Sequence, residues 1–326
     1  MRAVQFQDVG KLTLADVEIP KIGDDEVLVA LRSVGICHSD FELLEGRYII
    51  PFEYPIIPGH EWAGEVAEVG RNVTGFKPSD RVLGECVIGM DHFGFSISGA
   101  AAEYFVVRPE WLHRVPDELT DSQAALVEPF SCAYFAAMRA GNVNASDTVV
   151  VFGAGPIGLS CVAVAATLGA RVIAAEPDPA RGDLARRLGA EEVLDPTSDG
   201  FLDQVMELTG GQGAGVVMEA SGQPAAMAAT LEVAGFNARV VNIGIDVGRS
   251  ATAKLGLIQS KQLQIRGTIG SPGVWQDTLR FLARSRLDLT PMITSRFPIE
   301  RAPEAYDAAR HTDRNVKVHI ENGPRS

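Results

Sequence analysis

Residues 148–159 read TVVVFGAGPIGL. Thr148 to Phe152 are β-branched or apolar and carry no charge, the composition of a strand buried on both faces. Gly153, Gly155 and Gly158 follow at G-x-G-x-x-G spacing, and an uncharged run to Leu168 then predicts a helix. A strand, a tight glycine turn and a helix N-terminus let a pyrophosphate approach the backbone and meet free N–H groups. The glycines alone are weak evidence in a chain with 33 of them. The next strand, RVIAA (171–175), strengthens the reading because it ends at Glu176, where an acid can accept hydrogen bonds from ribose hydroxyls. Gly153, Gly155, Ile157, Gly158 and Glu176 are therefore candidate cofactor contacts, joined by Ile243, Gly244 and Gly270 at the ends of later strands. A carboxylate at 176 would repel the 2′-phosphate of NADP, so NAD is the expected cofactor. Arg181 is a candidate to stack on adenine or turn to a phosphate, and equally reads as a solvated helix charge.

The texture of the chain changes around this motif. Before about residue 120 it is dense in short β-type runs, VLVALRSVGI (27–36), GEVAEVG (64–70), DRVLGECV (80–87) and AAEYFVV (101–107), separated by Gly, Pro and Asp. From about 146 strands alternate with helices: 148–152, 171–175, 216–219, 239–245 and 262–270 read as strands, with helices at 179–188 and 223–234 between them. That alternation predicts an α/β fold with a doubly wound parallel sheet. The closing NVKVHIE (315–321) is a strand that would return to the first domain. The expected division is 1–145 with 286–326 as a β-rich domain and 146–285 as the dinucleotide-binding domain.

Composition narrows the function. The 326 residues are 46% hydrophobic and 22% charged, an ordinary globular balance with room for about two domains. Asp and Glu (42) outnumber Lys and Arg (29), and the formal charge of −13 would repel a phosphate backbone or an anionic membrane. Neither nucleic acid nor membrane is an expected partner. The uncharged stretch 148–170 is long enough to cross a bilayer, but Gly153, Gly155, Pro156 and Gly158 would break a spanning helix near its start. Four scattered cysteines and an N-terminus without an apolar signal core suggest free thiols in a reducing cytoplasm.

Cys37 in GICHSD, His60 and Glu61 in PGHEWAGEVAEVG, and Glu128 in ALVEPF are each capable of binding Zn²⁺. They come from separate segments, as in catalytic sites that keep an open position. Each also has a plain structural reading, as a buried thiol, a loop histidine, or a surface or helix-cap carboxylate, and spacing alone does not choose between them.

GICHSD, GHEWAGEVAEVG, the EP dipeptide and VFGAGPIGL, in this order over nearly the whole chain, resemble the zinc-dependent medium-chain alcohol and polyol dehydrogenases. The resemblance implies a GroES-like catalytic domain split around a Rossmann domain. It implies Cys37 and His60 as zinc ligands, with Glu61 or Glu128 completing the set as in the sorbitol- and threonine-dehydrogenase-like branches. It also implies hydride transfer between a secondary alcohol and NAD. Ser39 resembles the family hydroxyl that carries the alcohol proton toward solvent, and where many relatives have a relay histidine this chain has Glu42. His38, next to Cys37 in a segment read as extended, would point away from the metal; Asp40 reads as a turn acid and His92 as an exposed loop histidine. Between Asp80 and Glu110 there is only Cys86, so the four-cysteine lobe of many relatives is missing or rebuilt and one catalytic zinc with no structural zinc is expected. Leu43 stands where sorbitol dehydrogenases have a substrate tyrosine, which shifts the expected substrate to another polyol, a cyclitol or an amino alcohol. The YPIIPGHEWAGEV and AAEPDPAR stretches show some similarity to aminocyclitol dehydrogenases. The competing readings are a zinc-free NAD(P)H quinone or enoyl reductase, which would lack the Cys37 and His60 pair, and a non-catalytic dinucleotide-binding protein. Family members pair through their Rossmann sheets, so a homodimer or homotetramer joined near 262–270 is expected.

Overall fold

The computed structural model describes residues 1–245 and 248–323. Two compact units divide the chain: Met1–Glu128 with Leu279–Ser326, and Pro129–Thr278. The expected domain range 286–326 ends on 324–326, which lie outside the described residues.

The first unit is built on a sheet ordered Ile293–Pro298, Lys317–Glu321, Val27–Ile36, Glu61–Val69, Arg81–Gly84 and Leu112–Arg114, with Tyr104–Val107 also paired to Val27–Ile36. Val27–Ile36 is the organising strand. One edge pairs antiparallel with Glu61–Val69 along its length. The other is shared by Tyr104–Val107 at its start and Lys317–Glu321 at its end. Paired on both sides and packed into a core with Phe6, Trp62, Phe93 and Phe105, this strand is buried at eight of its ten positions. That explains its nearly continuous apolar sequence. The strand Lys317–Glu321 packs within the same unit as the N-terminal third of the chain.

In the second unit all six strands are parallel, in the order Glu192–Leu194, Arg171–Ala175, Thr148–Phe152, Ala214–Glu219, Ala234–Asn242 and Gln264–Gly267. Helices Pro156–Thr167, Pro179–Arg187 and Pro224–Val233 alternate with them. The α/β reading holds, and Thr148–Phe152, Arg171–Ala175 and Val27–Ile36 have the ends read from the sequence. The strand read as 239–245 instead runs Ala234–Asn242: it starts earlier, where Ala234 pairs with Ala214, and stops before Ile243 and Gly244, whose N–H groups donate to the Glu219 carbonyl. The uncharged 148–170 stretch folds as a strand and a helix, and no helix among the described residues is long and apolar enough to cross a membrane.

The segment around Cys37 differs from the extended form read from sequence. Cys37 is the N-cap of a short helix, His38–Leu44, and Asp40 Oδ2 accepts the Cys37 N–H at 3.0 Å. His38 opens that helix and is exposed. His92 is likewise no exposed loop residue: it sits in a two-stranded hairpin, Val87–Ile88 with Asp91–His92, with its Nδ1 buried. Its carbonyl accepts the N–H groups of Phe95 and Ser96, and its N–H donates to Ser96 Oγ, so the residue is tied into the turn that follows.

Candidate active site

Cys37, His60 and Glu61 reach one place from two directions. The helix N-cap presents the thiol, and the start of the Glu61–Val69 strand presents the imidazole and carboxylate. One ligand atom from each lies within 4.8 Å of the others. Gly59 makes this approach possible: its φ of +98° is left-handed, and a Cβ there would press on the Ala101 backbone.

Asp40 is fully buried, with Oδ1 3.5 Å from His60 Nδ1. A metal-bound imidazole hands its other nitrogen to a carboxylate, which fixes the ring. Burial works against a charge on His60, but hydrogen bonding to Asp40 and to Cys37 pulls its pKa well above the ordinary histidine value. The residue read as a turn acid therefore does two jobs, capping the helix at Cys37 and facing His60. Burial pushes the Glu128 carboxyl up to about 7, with the His60 charge opposing and the Glu61 charge adding to the rise. Glu128 thus feels the same cluster, from the first turn of helix Val127–Ala140. Ser39 and Glu42 are half-buried on the short helix that Cys37 caps.

On the far side of Glu61, Lys317 donates to both of its oxygens at 2.8 and 2.7 Å and to the Ile36 carbonyl at 3.2 Å. Burial disfavours the ammonium, yet the charges of Glu61 and Cys37 hold the Lys317 pKa above the ordinary lysine value. An aromatic wall flanks the imidazole: Phe95 lies 4.5 Å from the His60 ring, and Tyr48 stacks on Phe95 at 4.1 Å. Burial pushes the nearby Cys86 thiol up to about 12, and the charges of His60, Glu128 and Cys37 act on it. Lys317, Tyr48 and Phe95 escaped the sequence reading, and Cys86 was noted there only as the one cysteine of the rebuilt lobe. Lys317 carried a signal, a lysine inside a strand with apolar neighbours; Tyr48 and Phe95 had none.

A half-buried thiol with a buried imidazole and carboxylate fits a zinc ion: the donors are the right types, they converge, and the imidazole has its carboxylate behind it.

In the second unit the glycine turn is as tight as the motif requires. Gly153 has φ +88°, and a Cβ at Gly158 would overlap the Gly153 carbonyl oxygen. Gly155 faces open space. Glu176 accepts from Ala154 N–H at 2.7 Å and Asp178 N–H at 3.0 Å, so it ties the glycine turn to the end of the second strand. A cavity of about 500 Å³ is lined by Gly153, Gly155, Glu176, Arg181, Thr197 and Ser221 among others. Ile157 and Gly158 lie in the first turns of helix Pro156–Thr167, Ile243 and Gly244 follow the Ala234–Asn242 strand, and Gly270 follows the edge strand with φ +62°.

One unit thus offers a convergent Cys-His-carboxylate set and the other a glycine turn of the dinucleotide-binding kind. Residues 23–117 match the alcohol dehydrogenase GroES-like domain and residues 156–284 the zinc-binding dehydrogenase domain. D-arabitol-phosphate dehydrogenase of Enterococcus avium is 30% identical over 99% of this chain and 98% of its own length. L-threonine 3-dehydrogenase of Yersinia pestis is 32% identical over 91% and 92%. The crystal structure of 2R,3R-butanediol dehydrogenase from Bacillus subtilis superposes with a TM-score of 0.91 at 27% identity, over 99% of both chains. The chain belongs to the zinc-dependent medium-chain alcohol and polyol dehydrogenase family.

Proposed function

We propose that this protein is a zinc- and NAD-dependent dehydrogenase that oxidises a secondary alcohol of a polyol or cyclitol to the ketone. The observation that carries the reading is the convergence of Cys37, His60 and Glu61 ligand atoms within 4.8 Å. Cys37 and His60 would hold one zinc, with Glu61 or Glu128 as the third protein ligand. When bound, zinc supplies a charge that lowers the pKa of an alcohol toward neutrality.

The chain's own residues divide the remaining work. Asp40 fixes the His60 ring. The hydroxyl proton leaves by relay through Ser39, which accepts it while releasing its own to water, or through Glu42 itself, so that the carbinol carbon gives its hydride to NAD⁺ and the products are ketone, NADH and a proton. Gly153, Gly155, Ile157, Gly158 and the later-strand residues Ile243, Gly244 and Gly270 contact the cofactor. Arg181 faces its adenine end, and Glu176 accepts from the ribose hydroxyls, which favours NAD over NADP. The relatives named for arabitol phosphate and butanediol support a diol or polyol substrate. A threonine-like amino alcohol is the second reading, supported by the Yersinia relative. Four cysteines without disulfides suit a reducing cytoplasm. The edge strand Gln264–Gly267, exposed at all four residues, suits pairing with a second copy to form a homodimer or homotetramer.

The deciding experiment is NAD⁺ and NADP⁺ reduction over a panel of polyols, cyclitols and amino alcohols. Turnover with NAD⁺ and a vicinal diol supports the reading. Turnover confined to NADP⁺, or reduction of quinones or enones in its place, overturns it.

A further inference from the structure

The strand order of the second unit reverses between Thr148–Phe152 and Ala214–Glu219. A dinucleotide lies across such a reversal, with one nucleotide on each half of the sheet. If Glu176 takes the adenosine ribose on the first half, the nicotinamide falls on the second, beyond the ends of Ala214–Glu219 and Ala234–Asn242. Glu219 closes the first of these two strands and is fully buried. Its carboxylate accepts the Ser221 N–H at 2.8 Å, the Gly222 N–H at 3.1 and 3.3 Å, and the Ser221 hydroxyl. That hydroxyl must donate, because its oxygen already accepts the Gln223 N–H at 3.1 Å. Every partner is thus a donor, the set that an ionised carboxylate accepts. Among the described residues none of these partners is a cation.

The charge also lies close behind the cofactor cleft. Ser221 lines the cavity that holds the glycine turn, and a Cβ on Gly153 would meet Ser221 Cβ at 2.9 Å. The Glu219 carbonyl accepts the N–H groups of Ile243 and Gly244 at 2.8 and 3.0 Å, and a Cβ on Gly244 would press on Glu219 Oε2 and on the Gly222 nitrogen. Cys161, buried on helix Pro156–Thr167, feels the same charge: burial pushes its thiol up to about 12, with Glu219 adding to the rise.

We propose that Glu219 is a buried counter-charge for the oxidised cofactor, making the cleft favour NAD⁺, whose nicotinamide ring carries a positive charge, over NADH, whose ring is neutral. The inference rests on the NAD reading above and assigns a residue that the reading does not use. Backbone N–H groups compensate a buried anion only in part, and an incompletely compensated interior charge is unfavourable. A cationic ring arriving in the cleft relieves it; a neutral ring does not. Glu219 acts through Ser221, Gly222 and Gly244, so it is a positioning residue, and its bias holds NAD⁺ for alcohol oxidation while loosening the product NADH.

Calorimetric titration of the full-length protein with NAD⁺ and with NADH, at one pH and ionic strength, tests this apart from turnover. Glu219→Gln keeps the size and removes the charge, and is expected to raise the ratio of the NAD⁺ to the NADH dissociation constant roughly fivefold or more, the order of a unit charge acting through a protein interior. Glu219→Ala is expected to shift the ratio the same way and serves if Glu219→Gln does not fold. Glu219→Asp retains the charge and is expected to leave the ratio unchanged even where both affinities fall. Equal weakening of NAD⁺ and NADH in the neutral variants would show a purely structural role, overturning the inference and leaving the functional reading intact. A ratio that moves as far in Glu219→Asp as in Glu219→Gln also overturns it. A wild type that binds neither form overturns the inference and the cofactor reading together.

Discussion

Asp40 shows how much a single side chain decides. Its Oδ2 accepts the Cys37 N–H and its Oδ1 lies 3.5 Å from His60 Nδ1, so it is placed to orient two proposed ligands at once. Replacing it by Asn removes the charge behind the imidazole, and zinc affinity is expected to fall about 10–100-fold, readable by chelator competition. Unchanged affinity would mean that His60 needs no orienting partner. His319 gives a pH signature. Burial, with the Lys317 and Arg296 charges adding, holds its pKa well below the ordinary histidine value. As pH falls below about 6.5 the unfolded chain takes up this proton while the folded one does not, so stability is lost with acidification in that window. The drop in urea midpoint between pH 7.5 and pH 5.5 is expected to be smaller in His319→Gln than in the wild type, and an equal drop would contradict the assignment. Cys37, His60 and Glu61 could be picked out in the sequence because their motifs are local. Lys317 and His319 were missed: a lysine between apolar neighbours hinted at a buried partner, but the identity of that partner lies at the far end of the chain, where the sheet finds it.

At the scale of elements, the glycine turn is the most constrained piece of backbone. A methyl group on Gly158 would overlap the Gly153 carbonyl, which no rotamer can relieve. Gly158→Ala is expected to weaken NADH binding by at least about tenfold, the order of one lost or misplaced hydrogen bond to a charged group. Titration followed by NADH fluorescence reads this, and wild-type affinity would show that the turn does not hold the cofactor. Strands were the most legible elements: Val27–Ile36 and Thr148–Phe152 are sandwiched, so their sequences are predominantly apolar. The helix His38–Leu44 was not legible, because seven residues give too little periodicity and its cap is a cysteine. The early start of Ala234–Asn242 was hidden by Ala234 and Gly235, which have weak strand preference and are placed there by pairing with the neighbouring strand.

For the whole molecule, the exposed edge strand Gln264–Gly267 carries the proposed assembly. Ile265→Lys, which puts a charge on that edge, is expected to lower the mass seen by size-exclusion chromatography with light scattering to that of one chain, and an unchanged oligomer would move the interface elsewhere. The alternation of strands and helices made the parallel sheet of the second unit readable, while the packing around Glu61 depended on Lys317, which the closing strand brings from the far end of the chain. The most direct test is NAD⁺ reduction by the zinc-loaded protein with a responsive alcohol, before and after chelation and after zinc is restored. One zinc per chain is expected, with turnover abolished by the chelator and regained with the metal, and neither metal nor turnover in Cys37→Ser; turnover indifferent to chelation would contradict the proposed zinc chemistry.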